Sequence, residues 1–192
     1  MAEHTHIDLL RHGETLAGSV YLGRSDAPLN EQGYQQMEKA LPDAPHYSAV
    51  LSSPLVRCAA FANDYAQLHG LPLHYDARFQ EMDFGAWDGR SAAEIAATDP
   101  GALENFWRDP VAYPPPQAEP LLSFQARVLS AWRELPARYP GQRVLLVTHG
   151  GVMRIILCHL QQRPLTGLLN LSVPHAALHQ ISVEYENAGV PA

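Results

Sequence analysis

Three short segments concentrate residue types that handle phosphate. They are Arg11-His12-Gly13-Glu14-Thr15, Ser52-Ser53-Pro54-Leu55-Val56-Arg57 and Thr148-His149-Gly150-Gly151, each preceded by a short apolar run. Two histidines and two arginines in such positions suit phosphoryl transfer through a phosphohistidine. A neutral imidazole attacks phosphorus and forms a covalent intermediate. Guanidinium groups hold phosphate oxygens in a bidentate fork, most strongly where water is excluded. A second histidine, protonated, adds positive charge where the equatorial oxygens accumulate negative charge. The leaving oxygen then needs an acid. The segment Gln80-Glu81-Met82-Asp83-Phe84-Gly85-Ala86-Trp87-Asp88-Gly89 supplies carboxylates. Glu81, after a strand and a short turn, is the first choice, with Asp83 and Glu14 as alternatives. Taken singly, Arg11, His12, Arg57 and His149 all have plain structural explanations, as strand-end, turn or helix-surface residues.

The elements that must position these groups are legible in the hydrophobic pattern. Strands are expected at His6–Arg11, Ser48–Ser52, Leu73–Tyr75, Val144–Val147 and Leu178–Glu184, the last an edge strand that includes His179 and whose segment also takes in His175. Helices are expected over 31–41, 91–98, 101–108, 121–138 and 152–162, and from a Ser53-Pro54 start, with Ser53 as cap, to Gly70. The continuous apolar run Val144–Val147 is that of a strand covered on both faces. Strands alternating with helices imply a three-layer α/β/α sandwich with a mostly parallel central sheet. Such sheets place their sites at the carboxyl ends of strands, where the three segments lie. Two of them also feed helix N-termini, which favour a bound anion. The expected organisation is one domain over 1–192, with loop or cap segments around 82–120, including a proline-rich loop from Pro110 to Pro120.

Composition narrows the class. With 192 residues, 46% apolar and 17% charged, the chain is globular rather than disordered. A net charge of −7 argues against nucleic-acid or anionic-membrane partners. Lys39 is the single lysine among 13 basic residues, so an anion must meet a local arginine cluster. The first residues carry neither a basic n-region nor an apolar h-region, which sets a cytoplasmic location as the expectation. Cys58 and Cys158 have no metal spacing and read as reduced core thiols. His4 and His6 read as solvent-exposed at a frayed terminus, and no set matches a structural zinc spacing. Neither a metal nor a cofactor is expected.

The segments also occur together. Arg11-His12-Gly13-Glu14-Thr15, Ser52-Ser53-Pro54-Leu55-x-Arg57, Glu81-x-x-Phe84-Gly85-x-Trp87-x-Gly89 and Val147-Thr148-His149-Gly150-Gly151-Val152 resemble the signature set of the histidine phosphatase superfamily, the phosphoglycerate-mutase-like clan. Gly23-Arg24-Ser25-Asp26-Ala27-Pro28-Leu29-Asn30-Glu31-Gln32-Gly33 resembles the family's loop after the first strand. The motifs keep the family's order from residue 6 to about 183. The resemblance implies His12 as the phosphorylated nucleophile and Glu81 as proton donor and acceptor. It implies a phosphate pocket of Arg11, Arg57 and His149, with Thr15, Gly23 and Gly150 as further substrate contacts. Where the family often has Asn, this chain has Ala17-Gly18, so another donor or a water must stand in. Ala118-Glu119-Pro120 replaces a common Gly-Glu-Ser and is given no role.

Within the clan, the short chain and single lysine favour a phosphatase over a mutase. It looks most like the α-ribazole phosphatases of cobalamin assembly, with Tyr21, Phe84, Phe106, Trp107 and Tyr113 available to face a benzimidazole riboside. The expected partner is a small phosphomonoester, and a homodimer stays open. A broad-specificity sugar or metabolite phosphatase is the alternative. A phosphoglycerate mutase and a non-catalytic phosphate-binding protein rank lower.

Overall fold

The structure, a computed structural model, describes residues 3–42 and 46–185. Five strands, β1 (Glu3–Arg11), β2 (Ala49–Ser52), β3 (Leu73–Tyr75), β4 (Arg143–Thr148) and β5 (Leu178–Tyr185), form one sheet in the order β3-β2-β4-β1-β5. The three pairings among β1 to β4 are parallel, and β5 runs antiparallel along β1 at the edge. The helices are α1 (Glu31–Ala40), α2 (Val56–His69), α3 (Ala92–Thr98), α4 (Pro100–Arg108), α5 (Leu121–Arg138) and α6 (Gly150–Leu160). This is the expected three-layer α/β arrangement with a mostly parallel sheet. Among the described residues no helix is long and apolar enough to cross a membrane.

Alternation along the central strands builds both faces. Successive side chains of a strand point to opposite sides. Ile7, Leu9, Val144 and Leu146 therefore join Phe124, Val128 and Trp132 of α5 and Val152 and Ile156 of α6 in one apolar layer. Leu10, Leu145 and Val147 face the other way, toward Met37 of α1 and Cys58 and Phe61 of α2. All four apolar residues of β4 between 144 and 147 are fully buried, as a doubly covered strand requires. The buried carboxylate of Asp8 is satisfied by the Tyr47 hydroxyl at 2.7 Å and by Arg143 and Gln180. A smaller cluster of Trp87, Ile95, Leu103 and Phe106 packs α3 and α4 beside the carboxyl edge of the sheet.

Register brings the functional segments together. Arg11 pairs with Thr148, and Ser52 with Val147, so β1, β2 and β4 end at the same level. Several expected boundaries move. β1 begins at Glu3, because its first residues pair with Tyr185 to Val183 of β5; His4 is thus a strand residue and not part of a frayed end. Helix α2 starts at Val56, with Leu55 at its cap position and no side-chain cap bond. Helix α6 starts two residues earlier than expected, at Gly150.

Candidate active site

His12 follows the last residue of β1 and is 5% exposed. Its Nδ1 lies 2.8 Å from the Gly13 carbonyl. A carbonyl only accepts, so Nδ1 carries the proton and Nε2 keeps its lone pair. Burial, reinforced by Arg11 and Arg57, holds the imidazole well below the usual histidine range. The loop that carries it lies hard against α1: a Cβ on Gly13 would stand 2.0 Å from the Gly33 carbonyl oxygen, so only glycine allows the approach. Arg11 donates through Nη1 to the Val173 carbonyl, while its buried Nε has no partner among the described residues. Burial brings its pKa down to about 10, which leaves it charged at neutral pH. A charged donor left unpaired costs roughly 1–3 kcal/mol or more, and an anion beside it would remove that cost.

Arg57 and His149 form a buried layer beneath His12. Arg57, from the first turn of α2, is fully buried. It donates to Ser25 O, Gly23 O and Leu22 O, and through Nε to His149 Nδ1 at 3.2 Å. That bond makes Nδ1 of His149 the acceptor, so Nε2 bears the proton and donates to Ser53 Oγ at 2.7 Å. Burial first, then Arg57, His12 and Arg11, hold His149 well below the usual range. The protonated His149 expected from the sequence meets surroundings that favour the neutral ring, with Arg57 donating to Nδ1. The ring stands edge-on to His12, centroids 5.3 Å apart. Ser53, expected as a helix cap, has its hydroxyl on His149 and the Leu55 N–H instead. The Cys58 sulfur lies against the His149 ring and donates to Thr148 O, so its surroundings are partly polar. Both cysteines are free and buried.

Glu81 enters from the segment after the 3-10 turn Ala77–Phe79 and is 7% exposed. Oε1 accepts from Met82 N and Oε2 from Gly151 N, each at 2.9 Å. A Cβ on Gly151 would fall 2.1 Å from Oε1, so the glycine makes room for the carboxylate. Arg127 of α5 fixes this segment from behind, donating to the carbonyls of Arg78, Gln80 and Glu81 and forming a two-bond pair with Glu119. The carboxylates weighed against Glu81 are placed elsewhere. Asp83 accepts from Gly85 N, and Glu14 accepts from Gln36 and Gln32.

A cavity of about 510 Å³ opens over these groups. Arg11, His12, Thr15, Glu81 and Gly150 lie on its wall, as does Gly18 from the Ala17-Gly18 step. Tyr21, Phe84, Phe106 and Trp107 supply an aromatic side, with the Trp107 indole N–H on the Tyr21 hydroxyl at 2.9 Å. Three expected contacts lie off the wall. Arg57 and His149 are in the layer below, and Gly23 serves Arg57 through its carbonyl while its N–H binds Asp88. Tyr113 is also absent from the wall; Arg108 stacks on it at 5.4 Å. Sequence reasoning missed two titratable side chains of the wall, Arg154 and His175. Arg154 stands four residues after Gly150, on the same face of α6, a spacing that could have found it. His175 is not in the final strand, which begins at Leu178; the Pro174 before it was the turn signal. Among the described residues no group of three or more His, Cys, Asp or Glu side chains is set to hold a metal ion.

A neutral imidazole with a free nitrogen, a guanidinium with one unpartnered buried N–H and a carboxylate across one cavity can carry out nucleophilic displacement on an anion with proton transfer. Comparison with known proteins bears on this chemistry. The family model of the histidine phosphatase superfamily (branch 1) matches residues 7–190. A bifunctional protein of Mycobacterium tuberculosis is 34% identical over 158 residues, covering 80% of this chain; the chain spans 43% of that relative's length. An adenosylcobalamin/α-ribazole phosphatase of Salmonella typhimurium is 28% identical over 180 residues, with 91% of this chain and 89% of the relative covered. Among solved structures, a mycobacterial glucosyl-3-phosphoglycerate phosphatase superposes with a TM-score of 0.82 at 28% identity, covering 95% of this chain and 91% of its own.

Proposed function

The chain belongs to branch 1 of the histidine phosphatase superfamily, and from that premise we propose that it is a phosphomonoesterase working through a phosphohistidine on His12. The observation that carries this is the pairing of a buried His12, whose Nδ1–H is committed to Gly13, with the unpartnered Nε of Arg11. In the first step Nε2 of His12 attacks phosphorus. The P–N bond forms, the P–O bond to the alcohol breaks, and Glu81 gives its proton to the departing oxygen. In the second step water attacks the phosphoryl group, the P–N bond breaks, and Glu81 takes the water's proton. Inorganic phosphate leaves and neutral His12 is restored. Arg11 neutralises the phosphoryl oxygens directly. Arg57 and His149 hold positive potential and an N–H dipole close beneath them. These groups supply the stabilisation that a metal ion provides in other phosphatases, so turnover needs no metal.

For the substrate we propose α-ribazole 5′-phosphate, supported by the Tyr21, Phe84, Phe106 and Trp107 side of the cavity, which suits a flat aromatic base. Arg154 favours a second reading. Its Nε is engaged by Leu171 O, while Nη1 comes close to Arg11 around Gly150, a placement suited to a phosphorylated carboxylic acid. A screen of phosphomonoesters ranked by kcat/KM decides between them. α-Ribazole 5′-phosphate should exceed glycerol phosphate and sugar phosphates by at least ~10-fold, about 1.4 kcal/mol of transition-state binding. Preference for glucosyl-3-phosphoglycerate or phosphoserine supports the second reading. Equal rates throughout indicate a broad-specificity enzyme, and exchange of 2- and 3-phosphoglycerate faster than hydrolysis indicates a mutase.

A further inference from the structure

The nucleophile lies between two imidazoles, and only one of them belongs to the motifs read from the sequence. His149 stands 5.3 Å from His12 on the buried side, and His175 stands 5.7 Å away with its ring tilted by 44°. His175 is exposed and lines the cavity into which the free nitrogen of His12 must work. Its position is tightly specified. The following residue, Ala176, has φ 55°, a left-handed conformation that a residue with a Cβ keeps only when its surroundings enforce it. Here Ala176 N donates to the His12 carbonyl and Arg11 N donates to Ala177 O. Two arginines of the cavity hold the same segment, Arg11 on Val173 O and Arg154 on Leu171 O. The turn that presents His175 is thus tied to the backbone of the nucleophile itself.

We propose that His175 is a third phosphate-facing imidazole, which donates a hydrogen bond to the transferred phosphoryl group and takes up a proton when the dianion arrives. The proposal rests on the phosphatase reading of the site and adds a pH-dependent contact to it. The groups facing His175 are Arg11 and His12 from the end of β1 and Glu14 from the loop after it; Glu81 and Arg154 complete the charged lining of the cavity. Partial desolvation on the cavity side of the exposed ring and then Arg11 hold it below the usual histidine range, against the opposing pull of Glu14. A doubly negative phosphoryl group reverses that balance, because an opposite charge at close range favours the protonated ring. Phosphate binding then carries proton uptake at His175, by reciprocal linkage.

The test uses the full chain, with inorganic phosphate as probe. Histidine resonances are followed by NMR across pH, with and without saturating phosphate. The His175 titration midpoint should rise on binding. In parallel, His175→Ala should weaken phosphate binding about 10-fold at pH 6, the size of one charge-assisted hydrogen bond. At pH 8 the loss should be smaller, about 2–3-fold, since the neutral ring then donates only an uncharged hydrogen bond. His175→Gln keeps a donor that cannot titrate, and should recover part of the affinity while flattening its pH dependence. If phosphate moves His12 and His149 but leaves His175 unchanged, or if the alanine variant loses affinity equally at both pH values, the proposal is overturned and the phosphatase reading stands. If phosphate moves none of the three, the phosphatase reading falls and the proposal with it.

Discussion

At the scale of single residues, two protonation states carry the chemistry, and each can be read out. His12 has to be neutral to attack, and its depressed pKa keeps it neutral well into acid. The acid limb of kcat/KM should then lie at or below about pH 6, where the monoester's own second ionisation falls. An acid limb centred above pH 7 would show a raised histidine in that role. Glu81 has the opposite requirement, a proton in the first step and none in the second. Glu81→Gln can neither give nor take one, and should cost about 10²–10⁴-fold on an alkyl phosphate. With p-nitrophenyl phosphate the leaving phenolate departs unaided, so stopped-flow should show about one equivalent of nitrophenol released before slow turnover. The alkaline limb of the pH profile should vanish in the same variant. Retained turnover without a burst would make Glu81 a bystander. His12, Arg11 and Glu81 were legible because each sits at the end of a recognisable strand or turn. The setting that favours a neutral His149 was not, since it depends on Arg57 arriving from α2 to occupy Nδ1.

At the scale of elements, the site is a set of ends held in register, and the supports behind them have separable effects. The first turn of α6 must pass close to Glu81, and Gly151 is the residue that permits it. Gly151→Ala should leave the melting temperature unchanged or slightly raised, because alanine is the better helix former by up to about 1 kcal/mol. The same change should cut kcat by about 10-fold or more, since the added methyl pushes the carboxylate out of line and small misplacements at a reacting centre are expensive. Unchanged activity with unchanged stability would mean that Glu81 tolerates displacement. Arg127 acts on the other side of Glu81. Arg127→Ala removes three carbonyl contacts and takes the ion-pair partner from Glu119, which keeps only the Asp83 N–H, so urea unfolding should show a loss of about 1–3 kcal/mol, and kcat should fall even where the protein is fully folded. Arg127→Lys should not restore it, because one ammonium cannot reproduce the planar fork. Element identities followed from alternation and helical spacing. Boundaries drifted where tertiary pairing decides: β5 draws β1 out to Glu3, and the bonding of Ser53 to His149 delays the start of α2 to Val56.

At the scale of the molecule, the sheet order places β4 between β1 and β2, and that single fact assembles residues 11, 57 and 149 from distant parts of the chain. The strands could be read from the sequence; their order could be inferred only through family resemblance, because alternation says which face is buried and nothing about neighbours. His175 and Arg154 escaped for the same reason, as their roles come from a loop and a helix face brought to the cavity by packing. The aromatic side depends likewise on how α3 and α4 fold over the sheet edge through Trp87, Ile95, Leu103 and Phe106. What unites these levels is the claim that phosphate passes through a covalent bond to His12 without a metal. The most direct measurement is an acid-free denaturing quench during turnover of radiolabelled p-nitrophenyl phosphate in excess EDTA, followed by mass spectrometry of the peptides. His12 should carry acid-labile, alkali-stable phosphate, absent in His12→Ala. Full turnover with no label on His12, or activity that disappears with EDTA and returns with Mg²⁺ or Zn²⁺, would contradict the claim.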